Sequence, residues 1–336
     1  MSSRGTPRAA VVGTGAISQV VHVPILAERS DVELAAVADT DVAKARTVAE
    51  RFGVPEVVEP DEALVRDDFD AVLLCTPNHL HEEQAVTALE SGKHVFVERP
   101  MALSVEGTER IIAAGRAAGR CLVVGLPHRF RPEVSALRSF VAGGELGQLY
   151  AVRGSWLTRP VPVMRPTWRQ SRESGGGALM DLGVSALDLC LWVVGYPVIK
   201  RVSAAMTYGD FDVEEAATIM AESESGIAFT LEVSSRYFAG EDRYYARVMG
   251  SEGSGSLPPL EISRQVGGRP LEVTPRQPTP RGGENPYMNA YRRQIDHFLR
   301  SIAGRAEAPI PEEQVALMRV LQAAYRSAKE GREVAP

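Results

Sequence analysis

The chain has 336 residues, of which 44% are hydrophobic and 24% charged, and its formal net charge is −6. This length is sufficient for two domains, and the composition is typical of a globular protein. The acidic balance and the lack of a long basic run argue against nucleic acid as a partner. The N-terminal segment MSSRGTPR has no apolar core, and no apolar run approaches the roughly 18 residues of a membrane span. We therefore expect a cytoplasmic protein that neither crosses nor contacts a membrane.

Cysteine usage supports the same compartment. The three cysteines, Cys75, Cys121 and Cys190, lie far apart and form no CxxC pair. They are typical of buried, small hydrophobic residues in a reducing environment. No cluster of His, Cys, Asp or Glu has metal-ligand spacing, so we predict no metal site.

The first forty residues carry the pattern of a dinucleotide site. Short apolar runs at residues 9–12 and 32–38 predict two strands. Between them, residues 13–18 predict a glycine turn and residues 17–28 a helix, and an acid at residue 39 follows the second strand. Such a site needs these parts in this order. The alternative is an ordinary strand–helix–strand turn with a surface aspartate.

Each residue of this turn has an expected role. Gly13 allows the tight turn, and Gly15 lets a pyrophosphate approach the backbone. The backbone N–H groups at the helix start, Ala16, Ile17 and Ser18, face the phosphates, with Ser18 in place of the usual third glycine.

The acid at the end of the second strand predicts cofactor preference. Asp39 is placed to accept hydrogen bonds from both ribose hydroxyls, with Thr40 beside it. A carboxylate there would repel a 2′-phosphate, so NAD is favoured over NADP.

Strands and helices continue to alternate up to about residue 125. Further strands are predicted at 57–58, 70–75, 94–97 and 121–124, and helices at 42–52, 61–65, 81–89 and 104–119. This alternation predicts a parallel, doubly wound Rossmann sheet in a domain of residues 1–125.

Ligands bind at the carboxyl ends of the strands in such a sheet. Thr76 and Asn78 follow one strand and are expected to line the cofactor, while Glu98 follows another and is expected to hold a ribose or orient Arg99. Each residue alone is equally typical of a turn or a solvated surface.

The pattern changes after residue 125. Helices are predicted at 133–142, 178–194, 288–302 and 311–329, a strand at 148–156, and consecutive strands between 200 and 272, with 251–256 as a hairpin turn. Consecutive strands with tight turns predict an antiparallel sheet, so residues 126–336 form an α+β domain. Its candidate site residues are Trp168, Arg169, Asp181 and Ser185, the last two sharing a helix face.

The sequence as a whole resembles the Gfo/Idh/MocA oxidoreductase family, named for glucose–fructose oxidoreductase, inositol dehydrogenase and a rhizopine-catabolism protein. The resemblance covers nearly the whole chain and rests on motifs whose order and spacing agree. In chain order they are GTGAIS with Asp39, CTPNHLHEEQAVTALESGKHVFVERP, RFRPEV, GELGQLYAVRGSW, WRQSRESGGGALMDLGVSALDLCLWVVG and SEGSGSL.

The resemblance implies a Rossmann domain followed by a domain with an open, mostly antiparallel sheet. It implies hydride transfer between NAD or NADP and a sugar, cyclitol or nucleotide-sugar, and homodimers or homotetramers formed through the second sheet. We expect further cofactor contacts from Cys75, Pro77, His81, Glu98, Arg99, Trp168 and Arg169. Substrate contacts are expected from Arg99, His128, Arg129, Trp168, Asp181 and Ser185.

Two positions depart from the family pattern. The family's Glu-Lys-Pro is Glu98-Arg99-Pro100 here, and the histidine of its DxGxHxxD motif is Ser185. Arginine, with a pKa above about 12, cannot be a general base, and an isolated serine cannot be one either. Arg99 can still stabilise an oxyanion or grip an acidic group, which leaves Asp181, or less favourably His128, to handle the proton.

The first hypothesis is therefore an NAD-dependent oxidoreductase with Arg99, Asp181 and Ser185 at its catalytic positions. The opposing hypothesis is a catalytically inactive protein that binds NAD and a ligand as a sensor or accessory. A third and weaker one is cofactor-assisted elimination or glycoside hydrolysis, which would also need a competent base.

Overall fold

The computed structural model describes residues 5–163, 165–277 and 285–336. Within them the chain forms two compact units. The first unit runs to Pro127 and resumes from Tyr287 to Glu312, and the second unit contains the rest.

The first unit is built on a parallel sheet of six strands. They are β1 (Arg8–Val12), β2 (Glu33–Ala38), β3 (Glu56–Val58), β4 (Ala71–Leu74), β5 (His94–Glu98) and β6 (Leu122–Gly125). Their order is β3-β2-β1-β4-β5-β6, and every pair is parallel. The predicted doubly wound sheet is confirmed, and its order reverses between β1 and β4, where ligands bind in such folds.

Helices alternate with these strands. They are α1 (Val23–Ala27), entered through a π-helix at Ser18–His22, α2 (Val42–Phe52), α3 (Pro60–Val65), α4 (His81–Glu90) and α5 (Val105–Ala118). Local chemistry fixes their ends: the Asp41 carboxylate accepts from the Lys44 N–H at the start of α2, and Gly53 adopts φ 68° at its end. These bounds agree with the sequence prediction to within a few residues.

The second unit is built on an eight-stranded sheet with helices. Its helices are α6 (Pro132–Ala142), α7 (Val184–Val193) and α9 (Glu313–Glu330), whereas α8 (Pro286–Ile302) belongs to the first unit from Tyr287 onwards. The strands are β7 (Leu149–Leu157), β8 (Ile199–Tyr208), β9 (Glu214–Ser223), β10 (Ala228–Ser234), β11 (Arg243–Gly250), β12 (Gly253–Leu257), β13 (Glu261–Val266) and β14 (Arg269–Glu272). Their order is β14-β13-β12-β11-β7-β10-β9-β8, antiparallel except between β7 and β10. The predicted mostly antiparallel sheet is confirmed.

One predicted turn is a strand instead. Residues 251–256 were expected to form a hairpin turn, but Gly253–Leu257 is β12, and only Ser251 and Glu252 turn the chain. Glycine suits this strand because a Cβ at Gly253 would lie 2.6 Å from the Ser263 carbonyl oxygen. Alternating Gly and Ser therefore form a strand that closely approaches its neighbour.

Helix α8 lies with the first unit, whereas the sequence assigned it to the second domain. Its residues Ile295 and Phe298 are fully buried in the core that includes β1 and β5. Phe298 packs edge-on against Phe96, and the Gln294 side-chain amide donates to the Val124 carbonyl at 2.6 Å. The reason is amphipathicity, because the apolar face of α8 completes the core of the parallel sheet.

No helix in the part of the chain that the structure describes is long and apolar enough to cross a membrane. The predicted cytoplasmic location stays a prediction.

Candidate active site

The glycine turn after β1 is tightly closed on one side and open on the other. Gly13 adopts φ 92°, and a Cβ there would lie 2.7 Å from the Cys75 carbonyl carbon and oxygen. Its N–H donates to the Ala38 carbonyl at 2.7 Å, and the Ser18 hydroxyl donates to the Gly13 carbonyl. At Gly15, by contrast, a Cβ would meet no heavy atom within 4 Å. Only glycine fits at residue 13, while the backbone at residue 15 is accessible to a phosphate.

These contacts explain why Ser18 can replace the third glycine of the fingerprint. The hydroxyl bridges the turn, and the residue is fully buried. Ala16 is exposed and Ile17 partly buried, so the start of the helix keeps backbone N–H groups at the surface. The turn therefore fits the pyrophosphate of a dinucleotide.

Asp39 ends β2 beside this turn, as predicted, and is buried there. Its Oδ2 accepts from the Thr14 N–H at 2.7 Å and the Thr14 hydroxyl at 2.8 Å, and its Oδ1 accepts from the Asp41 N–H at 2.9 Å. Burial alone would raise the pKa of Asp39, but Lys44 and these donors outweigh it and hold the pKa below its ordinary value. Asp39 is therefore ionised and oriented, with Thr40 exposed beside it.

Lys44 was missed by sequence reasoning. Its ammonium lies 2.8 Å from Asp39 Oδ2, so the acid expected to repel a 2′-phosphate is partly neutralised. The available signal was a lysine in the first turn of the helix that follows the acid.

The segment after β4 is held by side chains of its own unit. The Thr76 hydroxyl donates to Gln84 Oε1 at 2.6 Å, Pro77 is partly buried, and Asn78 is buried at the start of a 3₁₀ turn. Cys75 is also buried, which raises the pKa of its thiol, and its backbone N–H donates to the Val12 carbonyl. Cys75 thus closes the glycine turn through its backbone and takes no part as a thiolate.

His81, a predicted cofactor contact, is surrounded by protein atoms. It is fully buried, and its Nδ1 and Nε2 lie 2.8 and 2.9 Å from the carbonyl oxygens of Pro100 and Thr76. Burial lowers the pKa of His81, against the two carbonyl contacts, which raise it. With both ring nitrogens occupied, His81 connects the segments that follow β4 and β5.

Glu98, at the end of β5, is buried against a histidine that sequence reasoning missed. His22 Nε2 lies 2.7 Å from Glu98 Oε1, and His22 is fully buried between the rings of Phe96 and Tyr291. Burial alone would raise the pKa of Glu98, but His22 and then Arg99 outweigh it and lower the pKa. The available signal was a histidine in the otherwise apolar run of residues 20–27.

Arg99 is positioned by Glu98. Its backbone N–H donates to Glu98 Oε2 at 3.3 Å, and its guanidinium lies 3.7 Å from the same oxygen. Gly125, opposite Glu98 on β6, leaves room for the carboxylate, because a Cβ there would lie 2.8 Å from it. Glu98 therefore lies beside Arg99, and its orienting role stays a prediction.

The second unit contains a cleft of about 880 Å³ lined by the loop after β7, the start of the helix leading to α7, and the start of β9. Two of the predicted site residues meet there: Arg169 Nε donates to Asp181 Oδ2 at 2.9 Å. Trp168 lies under the Arg169 guanidinium, 4.5 Å from the ring centre, but does not line the cleft. The pairing holds Asp181 in one orientation.

The other three predicted substrate contacts of the second unit do not line this cleft, and two of them, Ser185 and His128, are buried. Ser185 is 1% exposed, and His128 is stacked on Tyr244, with ring centres 4.8 Å apart. Arg129 bonds Asp188 through two nitrogens and reaches Glu313 at 2.7 Å. Burial lowers the pKa of Arg129, but Asp188 outweighs it and raises the pKa well above its ordinary value. Arg129 thus compensates a buried charge, as an interior acid requires.

A further acid of the cleft was missed. Glu214, at the start of β9, is 3% exposed and lines the cleft. Its Oε1 accepts from the Leu179 N–H at 2.8 Å and the Tyr325 hydroxyl at 2.9 Å. The available signal was an acid at the buried start of a strand. In the described ranges 5–163, 165–277 and 285–336, no group of three or more His, Cys, Asp or Glu side chains could hold a metal ion.

Comparisons with known proteins match both halves of the chain. Residues 7–126 match the model "Oxidoreductase family, NAD-binding Rossmann fold", and residues 134–256 match the GFO/IDH/MocA C-terminal domain. D-xylose 1-dehydrogenase (NADP(+)) 2 of Haloferax volcanii is 30% identical over 96% of this chain and 98% of its own length. D-glucoside 3-dehydrogenase of Escherichia coli is 28% identical over 97% of each chain.

A solved structure agrees over the same extent. The crystal structure of GenD2 from gentamicin A biosynthesis, in complex with NAD, superposes with a TM-score of 0.84 at 28% identity, covering 100% of this chain and 98% of that one. Full-length similarity to these dehydrogenases, together with the glycine turn and Asp39, shows that the chain is an oxidoreductase of the Gfo/Idh/MocA family with an NAD-binding Rossmann fold.

Proposed function

We propose that the protein is an NAD-dependent dehydrogenase or reductase of a sugar, a cyclitol or a related hydroxy compound. The proposal rests on the glycine turn beside the ionised Asp39. The neighbouring backbone leaves no room for a side chain at Gly13, whereas the backbone at Gly15 has space for a ligand. Two dehydrogenases that it resembles are named for a glucoside and for xylose.

The residues of the first unit bind and orient the cofactor in this proposal. The backbone at Gly15, Ala16 and Ile17 receives the pyrophosphate, and Asp39 receives the ribose hydroxyls. When bound, NAD accepts a hydride from, or returns it to, the reacting carbon. Thr76, Pro77, Asn78 and Glu98 remain proposed cofactor contacts.

Residues of the second unit bind the substrate. The cleft offers arginines and carboxylates together, which suits the many hydroxyl groups of a sugar or cyclitol. Asp181 is proposed to bind a substrate hydroxyl through the oxygen that Arg169 leaves free. Within the first unit, Arg99 remains a proposed group for stabilising an oxyanion, because a guanidinium donates hydrogen bonds and does not take up a proton.

Cofactor titration tests the proposal first. We expect NADH to quench the fluorescence of the three tryptophans at micromolar concentrations, with NADPH binding more weakly. A screen of sugars, cyclitols and their acids with NAD should then show turnover. Binding of neither nucleotide would overturn the proposal.

The inactive alternative is a distinct outcome of the same experiment. Tight NADH binding without turnover of any compound in the screen would favour a sensor or accessory protein, as the replacements at Arg99 and Ser185 suggest. Arg99→Lys is the cleaner restoration, because Ser185 is 1% exposed and a histidine there would overpack the core.

We also propose a homodimer or homotetramer formed through the sheet of the second unit. Large apolar side chains are exposed on its strands, with Met220 63%, Tyr208 50% and Tyr245 40% exposed. Light scattering after size exclusion should show more than one subunit, and Met220→Glu should shift the mass towards the monomer.

A further inference from the structure

We propose that Glu98, held as a carboxylate by His22, shifts the cofactor preference of the first unit towards NAD⁺ and away from NADH. The charge acts at a distance, so the proposal needs no hydrogen bond from Glu98 to the cofactor and no residue of the second unit. It deepens the proposed function and rests on its NAD-binding part alone.

Glu98 lies on the side of the sheet where the nicotinamide is expected. The strand order β3-β2-β1-β4-β5-β6 forms two mononucleotide-binding halves that meet between β1 and β4. The glycine turn after β1 and Asp39 after β2 place the expected pyrophosphate and adenosine ribose sites at the first half. The nicotinamide is therefore expected at the carboxyl ends of β4 to β6, and Glu98 is the last residue of β5.

The carboxylate of Glu98 is buried but paired. Glu98 is 5% exposed, and its Oε1 accepts a hydrogen bond from His22 Nε2 at 2.7 Å. The His22 ring is fully buried against Phe96 and Tyr291, and its Nδ1 has no hydrogen-bond partner among the residues that the structure describes. Gly125 leaves the space that the carboxylate occupies. Within the described residues, the His22 ring thus forms its hydrogen bond with Glu98 and with no other group.

This pairing keeps Glu98 ionised. Burial alone would raise the pKa of Glu98, but the contact with His22, followed by the charge of Arg99, outweighs it and lowers the pKa. A carboxylate therefore lies below the surface at the carboxyl end of β5. Its field reaches further there than it would from an exposed position, because the surroundings are less polarisable than water.

The titratable neighbours of Glu98 come from several elements. Burial raises the pKa values of Cys75, just after β4, and Tyr291, on α8, so both stay neutral. Burial lowers the pKa of His81, on α4, which is therefore neutral near pH 7. Arg99 carries the opposite charge 3.7 Å away and weakens the field, but it does so in the wild type and in Glu98→Gln alike. The difference between these two proteins therefore reports the charge of Glu98.

The two forms of the cofactor differ in charge at the ring that exchanges the hydride. The nicotinamide ring is positively charged in NAD⁺ and uncharged in NADH, whereas the phosphates and riboses are the same in both. A nearby carboxylate therefore stabilises bound NAD⁺ more than bound NADH. By linkage, the same preference makes the bound reduced cofactor a stronger hydride donor.

The main test compares nucleotide binding by Glu98→Gln and the wild type. Glutamine keeps the size of the side chain and an oxygen for His22 Nε2, but it removes the charge. We expect the NAD⁺ dissociation constant, divided by the NADH dissociation constant, to rise about three- to tenfold in calorimetric titrations near neutral pH. The matched control is Glu90→Gln, which removes an exposed acid at the end of α4, at the opposite edge of the sheet, and should leave the ratio unchanged.

His22→Leu tests the partner of Glu98 separately. Without this hydrogen bond, burial should neutralise Glu98, so the ratio should rise as it does in Glu98→Gln, and the double variant should add nothing further. His22→Gln keeps a donor for the carboxylate and should stay within about twofold of the wild-type ratio. A purely structural role of either residue would weaken the binding of both nucleotides together and leave their ratio unchanged.

Infrared spectroscopy checks the charge of Glu98 without any nucleotide. Near neutral pH, His22→Leu should gain the band of a protonated carboxyl group relative to the wild type. The band should be missing when Glu98→Gln is added to His22→Leu, which assigns it to Glu98. Absence of the band from His22→Leu would contradict the role of His22.

The outcomes separate the inference from the proposed function. If both nucleotides bind and Glu98→Gln leaves their ratio unchanged, the inference is overturned and the proposed function stands. If neither nucleotide binds to the wild type, both are overturned. If either Glu98→Gln or His22→Leu fails to fold, the other decides, because each is expected to remove the charge.

Discussion

Each unit of the molecule buries a glutamate, and the pKa values of the two glutamates are shifted in opposite directions. Glu98 in the first unit is hydrogen bonded to His22 and faces Arg99, and its pKa is lowered against the effect of burial. Glu214 in the second unit is hydrogen bonded to a backbone N–H and a tyrosine hydroxyl, and burial raises its pKa. The partners, rather than the degree of burial, decide which acid stays charged.

This comparison extends to the aspartates of the second unit. Asp188 is 1% exposed and gripped by Arg129, whereas Asp181 pairs with the exposed Arg169 in the cleft. The two acids belong to one sequence motif, but one compensates a buried arginine and the other is available to a ligand.

Asp188→Asn should give the largest effect on stability. It leaves the largely buried Arg129 guanidinium, whose side chain is 16% exposed, without its main counterion, so we expect a loss of about 3 kcal/mol in the free energy of unfolding. Asp181→Asn is the control and should cost less than about 1 kcal/mol, because its ion pair is partly exposed. Urea denaturation measures both, and equal losses would remove the distinction between the two aspartates.

Gly13→Ala and Gly15→Ala compare two positions of the glycine turn in the first unit, one closed by neighbouring backbone and one accessible to a ligand. A Cβ at residue 13 would clash with the Cys75 backbone, and the positive φ of Gly13 disfavours any other residue. We therefore expect Gly13→Ala to lower the free energy of unfolding by at least about 2 kcal/mol. Gly15→Ala should leave the melting temperature within a few degrees and weaken NADH binding about tenfold or more. Unchanged NADH binding in Gly15→Ala would argue against the phosphate site.

Glu98→Gln and Glu214→Gln should change stability with opposite pH dependence. Glu98 has a lowered pKa, so its stabilisation is present above about pH 4.5 and lost as the pH falls through its folded-state pKa. Glu98→Gln should therefore cost about 1–3 kcal/mol at pH 7, and the cost should shrink in acid.

Glu214 has a raised pKa, so its ionised form weakens the fold increasingly as the pH rises above about 4.5. Relative to wild type, Glu214→Gln should gain stability from pH 4.5 towards neutral pH. Guanidinium denaturation from pH 3.5 to 8 measures both differences, and parallel curves would show that the two environments do not differ.

Lys44→Ala should give the smallest effect, and it tests how the charge of Asp39 affects the preference for NADH over NADPH. Without the ammonium at 2.8 Å, the Asp39 charge is less neutralised and should repel a 2′-phosphate more strongly. We expect NADPH binding to weaken about two- to tenfold while NADH binding stays nearly constant. Fluorescence titration with the two nucleotides measures the ratio, and stronger NADPH binding would contradict this reading of Asp39.

Much of this structure could be predicted from local patterns. The alternation of apolar runs with helices predicted the parallel sheet, and Gly13, Ser18 and Asp39 lie where the fingerprint places them. These features depend on neighbours in sequence. The pairing of β7 with β10 in parallel depends on residues far apart, and no turn signal encodes it.

The site residues that sequence reasoning missed share one property. The roles of His22, Lys44 and Glu214 depend on contacts with Glu98, Asp39 and Tyr325. Only Lys44 is close to its partner in the sequence. Arg129 and His81 were predicted to contact ligands, and the sequence did not reveal that Asp188 and the Pro100 carbonyl lie against them in the structure.

The return of the chain to the first unit has a consequence for synthesis. The Rossmann strands leave the ribosome within the first 125 residues, yet the helix that covers Phe96 begins only at Pro286. During synthesis, part of the core of the first unit therefore stays exposed until the whole second sheet has been translated. A fragment that ends after β6 should be prone to aggregation, and appending α8 through a short linker should restore its solubility.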